Sequence, residues 1–199
     1  MAKNTLDALI SSQLRDSART LSATVRSLPQ IRAAAQLLLK TCRADGKVIV
    51  FGNGGSAAEA QHLAAELVGR FERNRPPVAA LALTVNSSDL TAIGNDFGYE
   101  NVFSRQLEAH ARPGDVAVAI TTSGDSPNVL KAAAAARKLG LATVGMTGRE
   151  GGRLKNLVDV CVRVPSETVS RIQEAHQAVI HIWCAAIEGE LFSQSPRAR

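Results

Sequence analysis

The stretch from Lys47 to Arg70, KVIVFGNGGSAAEAQHLAAELVGR, constrains this chain more than any other. A short β-branched and aromatic run, Val48 to Phe51, meets Gly52, Asn53, Gly54 and Gly55, and an alanine-rich pattern follows without a break. That order predicts strand, glycine turn and helix. Glycine lets backbone approach a ligand closely, and the first turn of a helix offers N–H groups that have no partner within the helix, so the junction is suited to an anion. Ser56 and Glu59 fit the S-x-x-E capping box at the helix start. His62 and Glu66 stand four apart and so share a face, one turn above each other. With Ala60, Ala64, Leu67 and Val68 as the core stripe, Glu59 and Arg70 fall on the His62–Glu66 side. An exposed ion pair and a metal or acid/base pair are both compatible with that spacing.

Apolar positions at Leu6, Ile10, Leu14, Leu21 and Val25 predict a first helix over Thr5–Leu28, and a second runs from Ile31 to Arg43 after Pro29. Two helices ahead of the first strand are extra to a minimal βαβ sheet, and their apolar stripes read as an oligomer interface. Beyond the opening unit, Val78–Val85 reads as a second strand. Asn86 to Asp89 cap a short helix through Ile93, and the turn-rich Gly94–Gly98 follows. A helix over Val102–His110, a strand over Val116–Ile120, and a helix opened by Pro127 and closed by Gly140 come next. Ala142–Thr147 and Val158–Val164 are the last strands, and a helix over Ser170–Leu191 ends the ordered pattern. Five short apolar strands alternating with helices imply a parallel sheet covered on both faces, with ligands at the carboxyl ends of its strands. We divide the chain into an N-terminal helical segment (1–34), one α/β domain (35–191) and a tail (192–199) expected to be disordered.

A chain of 199 residues, 45% hydrophobic, is long enough for one such core. The three cysteines, Cys42, Cys161 and Cys184, are scattered and indicate neither a disulfide framework nor a thiolate zinc site. Lys3, Asp7, Arg15 and Asp16 interrupt the apolar N-terminus, so neither a signal peptide nor a membrane span is expected, and a cytoplasmic protein is. The formal charge of +5 is dispersed and aromatic residues are only 4%, which argues against a nucleic-acid partner.

Thr121, Thr122, Ser123 and Ser126 place four hydroxyls around Gly124, between a strand and a helix N-terminus. Hydroxyls, backbone N–H groups and the helix dipole hold a phosphate ester without a lysine. Gly52-x-Gly54-x-x-Ala57 also satisfies the dinucleotide fingerprint, but the second strand ends in Val85, Asn86 and Ser87 rather than in the acid a ribose requires. In the last helix, Ala178 to Ile187 is apolar almost all round, which predicts a buried His181 in need of a partner. Gln173, two turns earlier, lies roughly on the same side. Spacing alone leaves a satisfied core histidine and a ligand equally open.

Taken together, GNGGSAAEAQHLAAEL, LTAIGNDFGYENVFSRQ, TTSGDSPNVL and RIQEAHQAVIH resemble, in order and spacing, the phosphoheptose (sedoheptulose 7-phosphate) isomerases of the SIS domain superfamily. The resemblance runs from about Ala35 to Leu191. It implies a flavodoxin-like three-layer sandwich with extra N-terminal helices, a homotetramer with sites at subunit interfaces, and one zinc ion per subunit on His62, Glu66, Gln173 and His181. It further implies that Asn53, Gly54, Gly55, Ser56, Asn95, Asp96, Thr121, Thr122, Ser123, Ser126 and Gln173, with Glu66, contact the sugar phosphate. The implied reaction converts D-sedoheptulose 7-phosphate to D-glycero-D-manno-heptose 7-phosphate through an enediol, with Glu66 and His181 catalytic, as the first step toward nucleotide-activated heptose, whether for lipopolysaccharide, capsule or S-layer. A non-catalytic relative that binds a sugar phosphate or a replication initiator is the alternative, and such relatives tend to lack the acid/histidine pair. Asp125 departs from the more frequent Asn or Lys. It puts a negative charge beside the phosphate site, so it is expected to point outward or to weaken binding.

Overall fold

The computed structural model describes residues 3–194. Helix α1 (Lys3–Thr24) passes through a single 3₁₀ turn into α2 (Leu28–Arg43), whose Pro29 sits in the first turn, where its missing N–H costs nothing. Strand β1 (Val48–Gly52) and α3 (Gly55–Val68) follow, then β2 (Ala80–Ala82), α4 (Ser87–Phe97), α5 (Val102–His110) and β3 (Val116–Ile120). The chain ends with α6 (Pro127–Lys138), β4 (Ala142–Gly148), β5 (Val160–Val164) and α7 (Val169–Leu191).

All five strands are parallel, in the order β2-β1-β3-β4-β5, with Val48 opposite both Ala80 and Val116. The order reverses at β1, so the carboxyl ends of β1 and β3 flank the crevice where sheets of this kind take ligands. Side chains alternate between the faces with the period of two. Val48 and Val50 join Val116, Val118, Val144 and Met146 against Leu38 of α2, Leu63 and Leu67 of α3, and Ile180 and Trp183 of α7. Ile49 and Phe51 face the other way, onto Phe103 and Leu107 of α5 and Val129, Ala132 and Ala136 of α6. The buried Trp183 indole donates to the carbonyl of Ile31 (3.1 Å), which locks α2 to α7.

Several elements differ from the sequence reading. The strand expected over Val78–Val85 pairs only at Ala80–Ala82, on the sheet edge, because Leu83 bonds once more to Val50 and the chain then turns away. The loop expected at Gly94–Gly98 is instead the last turn of α4. Asn86 caps that helix by accepting from the Ser88 and Asp89 amides, and it runs on to Phe97, where Gly98 (φ 85°) stops it. The Ser56–Glu59 capping box does not form. Gly54 (φ 55°) occupies the cap position, Ser56 is turned inward, and Glu59 is buried. Val68, assigned to the core, is 49% exposed. Of the residues grouped as a tail, Phe192 packs on the core beside Leu191, and 195–199 lie outside the described residues.

The chain between α3 and β2 is held by one carboxylate. Glu188 of α7 accepts from the amides of Phe71, Glu72 and Arg73 (3.0, 2.9 and 2.9 Å) and from Nε of Arg75 (3.0 Å). Arg75, its side chain fully buried, donates to the carbonyls of Glu66 (2.6 Å) and Leu67 (2.7 Å), the last orphan acceptors of α3. Burial pushes the Glu188 carboxyl up, but the Glu72 and Phe71 amides, the Arg75 guanidinium and the Arg73 amide together outweigh it and hold the group below the usual carboxylate range. A folded value below the unfolded one gives stability that is complete above about pH 4.3 and is lost as the pH falls through the depressed value. Glu188→Gln is therefore expected to cost about 3 kcal/mol or more near neutral pH by leaving Arg75 unpaired, and to flatten the acid side of the stability curve. Urea denaturation across an acid-to-neutral pH series checks both effects.

Candidate active site

The first half of the site is a cradle at the switch point. Gly54 takes a left-handed conformation and frees the first turn of α3, where Ser56 N–H bonds to the Asn53 carbonyl (2.9 Å). A side chain at Gly52 would collide with the Ile120 carbonyl, and one at Gly55 with the amide of Gln173, so backbone and α7 pack directly together here. Across the crevice, the buried Thr121 hydroxyl lies 3.1 Å from Ser126 Oγ and 3.3 Å from Ser123 Oγ. Ser126 precedes α6 but makes no capping bond, which leaves its hydroxyl for the cradle. Asn53 and the buried Asn128 exchange two amide hydrogen bonds of 2.8 Å, and the Tyr99 hydroxyl donates to Asn53 Oδ1 (3.3 Å). Asn128 and Tyr99 were not anticipated from the sequence. The only signal available was the position of Asn128 in the first turn after Pro127. Asn95 and Asp96 lie exposed on the last turn of α4, bonded to each other (2.7 Å).

The second half lies farther along α3. His62 Nε2 is 3.0 Å from His181 Nε2 and 3.3 Å from Glu66 Oε1, so the i, i+4 pair of α3 meets the imidazole of α7. His181 is half-buried rather than buried. The fully buried imidazole of α7 is His176, whose Nε2 donates to the Thr147 carbonyl (3.2 Å) and whose Nδ1 is 3.5 Å from Glu59 Oε2. The apolar run around His181 misled because α7 has one flank on α3 and another open, as Ile182, 52% exposed, shows. The ligating atoms of His62, Glu66 and His181 lie within 4.8 Å of one another. Ligand atoms about 2.1 Å from a tetrahedral zinc stand roughly 3.4 Å apart, close to the separations seen here, and two imidazole nitrogens with a carboxylate are donors zinc accepts. The residues present fit such an ion. The contact made by Gln173 is with Gly55, and the amide bonded to His181 Nε2 (3.0 Å) is that of Gln177.

Comparison with known proteins decides the lineage. The SIS domain family pattern matches residues 13–148. The phosphoheptose isomerase of Rhodospirillum rubrum is 53% identical over 165 residues, 83% of this chain and 88% of that protein. That of Geotalea daltonii is 50% identical over 93% of this chain and 97% of its own length. This chain belongs to the phosphoheptose isomerase family. The solved phosphoheptose isomerase of Neisseria gonorrhoeae superposes with a TM-score of 0.87 at 40% identity, covering 92% of this chain and 99% of that one. The fold therefore extends over the whole family member, including α1 and α2, and the enzyme class is that of aldose–ketose isomerases.

The departure at Asp125 resolves geometrically. Asp125 Oδ1 accepts from the backbone N–H and Nε of Arg153 (both 3.0 Å), and Arg153 Nη2 donates to the Asp125 carbonyl (3.2 Å). The Arg153 amide, its guanidinium bond and its charge, against little desolvation, hold the Asp125 carboxyl below its ordinary value. Gly124 and Gly151 touch backbone to backbone, and Leu154 N–H bonds to the Gly124 carbonyl (2.9 Å), so the hydroxyl loop and the loop after β4 form one unit. Arg153 thus neutralises the charge that would repel a phosphate. Arg153→Ala is expected to raise the KM for a phosphosugar about threefold to tenfold with kcat little changed, and Asp125→Asn in the same chain to restore it. The modest scale is that of a single solvent-exposed charge contact. Steady-state kinetics on the two variants checks this.

Proposed function

We propose that this protein interconverts D-sedoheptulose 7-phosphate and D-glycero-D-manno-heptose 7-phosphate, the first step of activated-heptose biosynthesis that supplies lipopolysaccharide. The observation that carries the reading is that His62, Glu66 and His181 converge on the helix whose own N-terminus forms the anion cradle. Seven residues separate Gly55 from His62, a rise of about 10 Å along α3, comparable to the reach of an extended seven-carbon sugar from its phosphate to its carbonyl end. Thr121, Thr122, Ser123 and Ser126, with the amides of Gly54 and Gly55, hold the phosphate. Asn53, kept in one orientation by Asn128, meets sugar hydroxyls together with Asn95, Asp96 and Gln173.

In the ketose-to-aldose direction Glu66 removes a proton from C1, electrons move toward C2, and an enediol forms. Redelivery of the proton to C2 completes the aldose, while His181 moves the proton between the two oxygens. Glu66 turns Oε1 toward His62, and its second oxygen takes the carbon-bound proton. His62, Glu66 and His181, with an α7 amide, would hold one zinc ion per subunit, and the bound ion would polarise the carbonyl and offset developing negative charge. The family resemblance gives that amide as Gln173. The structure sets Gln177 beside His181.

His62 and Glu66 keep side-chain exposures of 38% and 21%, and Val68 on α3 and Ile182 on α7 are large apolar side chains left in the open. The outer face of α1 carries Leu6, Ile10 and Leu14, the last 67% exposed. Copies of the chain covering these surfaces would exclude water from the trio, so a homotetramer is the working assembly. Among the described residues no helix is long and apolar enough to cross a membrane, and we place the enzyme in the cytoplasm with no nucleic-acid partner.

Glu66→Gln and His181→Ala are each expected to lower kcat by at least about 10²–10⁴-fold with the fold retained, the range of a lost acid or base. An NMR time course in deuterated water, following deuterium into C2 of the heptose product, checks this. Near-normal rates in either variant would remove that residue from the mechanism. Leu14→Glu is expected to break the tetramer and to cut activity with it, read by sedimentation and by turnover on the same sample.

A further inference from the structure

Three observations lead from the Glu188 carboxylate to the reacting groups. Glu188 holds the backbone N–H of Phe71 (3.0 Å). The Phe71 ring lies against the His181 ring, centroids 5.5 Å apart and planes 32° from parallel. Arg75, paired to the same carboxylate, donates to the main-chain carbonyl of Glu66 (2.6 Å). His181 and Glu188 are seven residues apart on α7, so they share a face, with His181 against His62 of α3 and Glu188 against the segment that follows α3.

We propose that Phe71 is a positioning residue for His181, its ring placed by the Glu188–Arg75 cluster so that Nε2 of His181 is kept facing His62 and Glu66. An imidazole on a helix flank that is open on one side has several rotamers available. His62, at 5.2 Å between ring centroids and 59° between planes, touches only one side of it, and the Phe71 ring packs against it as well. The Phe71 ring carries no group that could ligate a metal or transfer a proton. It acts by removing the rotamers in which the His181 nitrogen points away. Outer contacts of this kind typically contribute 10–100-fold to metal affinity or activity. The inference rests on the reading of His62, Glu66 and His181 as a metal and acid/base site, and extends it to a residue outside the family's ligand and substrate sets given above.

The test compares Phe71→Ala and Phe71→Tyr with Leu191→Ala, a packing control from the same apolar cluster. Each is studied as the full-length assembled protein. Zinc affinity is measured by competition with a chromophoric chelator, alongside kcat, KM and Tm. Phe71→Ala should lose about tenfold or more in both zinc affinity and kcat with KM within about twofold, and Phe71→Tyr, which keeps the ring, should recover both. Leu191→Ala should lower Tm without moving zinc affinity. Zinc affinity and kcat within about twofold of the parent in Phe71→Ala would overturn the inference, as would an equal loss in Leu191→Ala at matched Tm. A parent protein that holds no zinc would overturn the metal reading and this inference with it. A zinc-binding parent beside an unaffected Phe71→Ala would overturn the inference alone.

Discussion

A carboxylate withdrawn from water must be surrounded by donors or it destabilises the fold, and Glu188 meets that demand with three backbone amides and a guanidinium. Meeting it dictates much else. The segment after α3 has to fold back across α7 to bring its amides within reach, and Arg75 then reaches the Glu66 and Leu67 carbonyls at the end of α3. Helices that carry opposite halves of the His62–Glu66–His181 cluster are thereby joined beside it. At the other end, Gln173 rests on Gly55 with no side chain between them. Between these two fixed points His62, Glu66 and His181 come within bonding range of one another. The buried pair matters less for its net energy than for the separation it imposes.

The parts of this arrangement that were legible in the sequence are the local ones and those with strong periodicity. Gly52 to Gly55 between a β-branched run and alanines could hardly be anything but a turn into a helix. Pro127 after Ser126 marks a helix start, and the alternating apolar strands give the parallel sheet. What escaped were features set by the choice of neighbour. Ser56 and Glu59 have capping-box spacing, yet Gly54 takes the cap and Glu59 finds His176 across the helix interface instead. The burial of His176 rather than His181 follows from the seating of α7 on β4, where the Thr147 carbonyl receives one imidazole and not the other. Glu188 and Arg75 are far apart in sequence and were invisible as a pair. Likewise, Asn128 looks like any helix-start asparagine until Asn53 is brought opposite it.

Asp125 illustrates how a departure from a family pattern is absorbed. An extra anion beside a phosphate cradle would oppose binding, and the chain answers with an arginine from the next loop rather than with a change in the cradle itself. The hydroxyls of Thr121, Ser123 and Ser126 keep their mutual spacing, and the compensation falls on loops whose glycines already bring the backbones into contact. The hydroxyls and the local charge are thus carried by separate residues within one loop pair.

The missing side chain at Gly55 has a mechanical consequence. Because the Gln173 amide lies directly on the first turn of α3, the start of α7 has no slack along the interhelical axis, and on the proposed function the anion end and the proton-transfer end of the site are two ends of a stiff ruler. A phosphosugar shorter by one carbon could satisfy either mark but not both, so chain length would be gauged by two rods without any residue dedicated to measuring it.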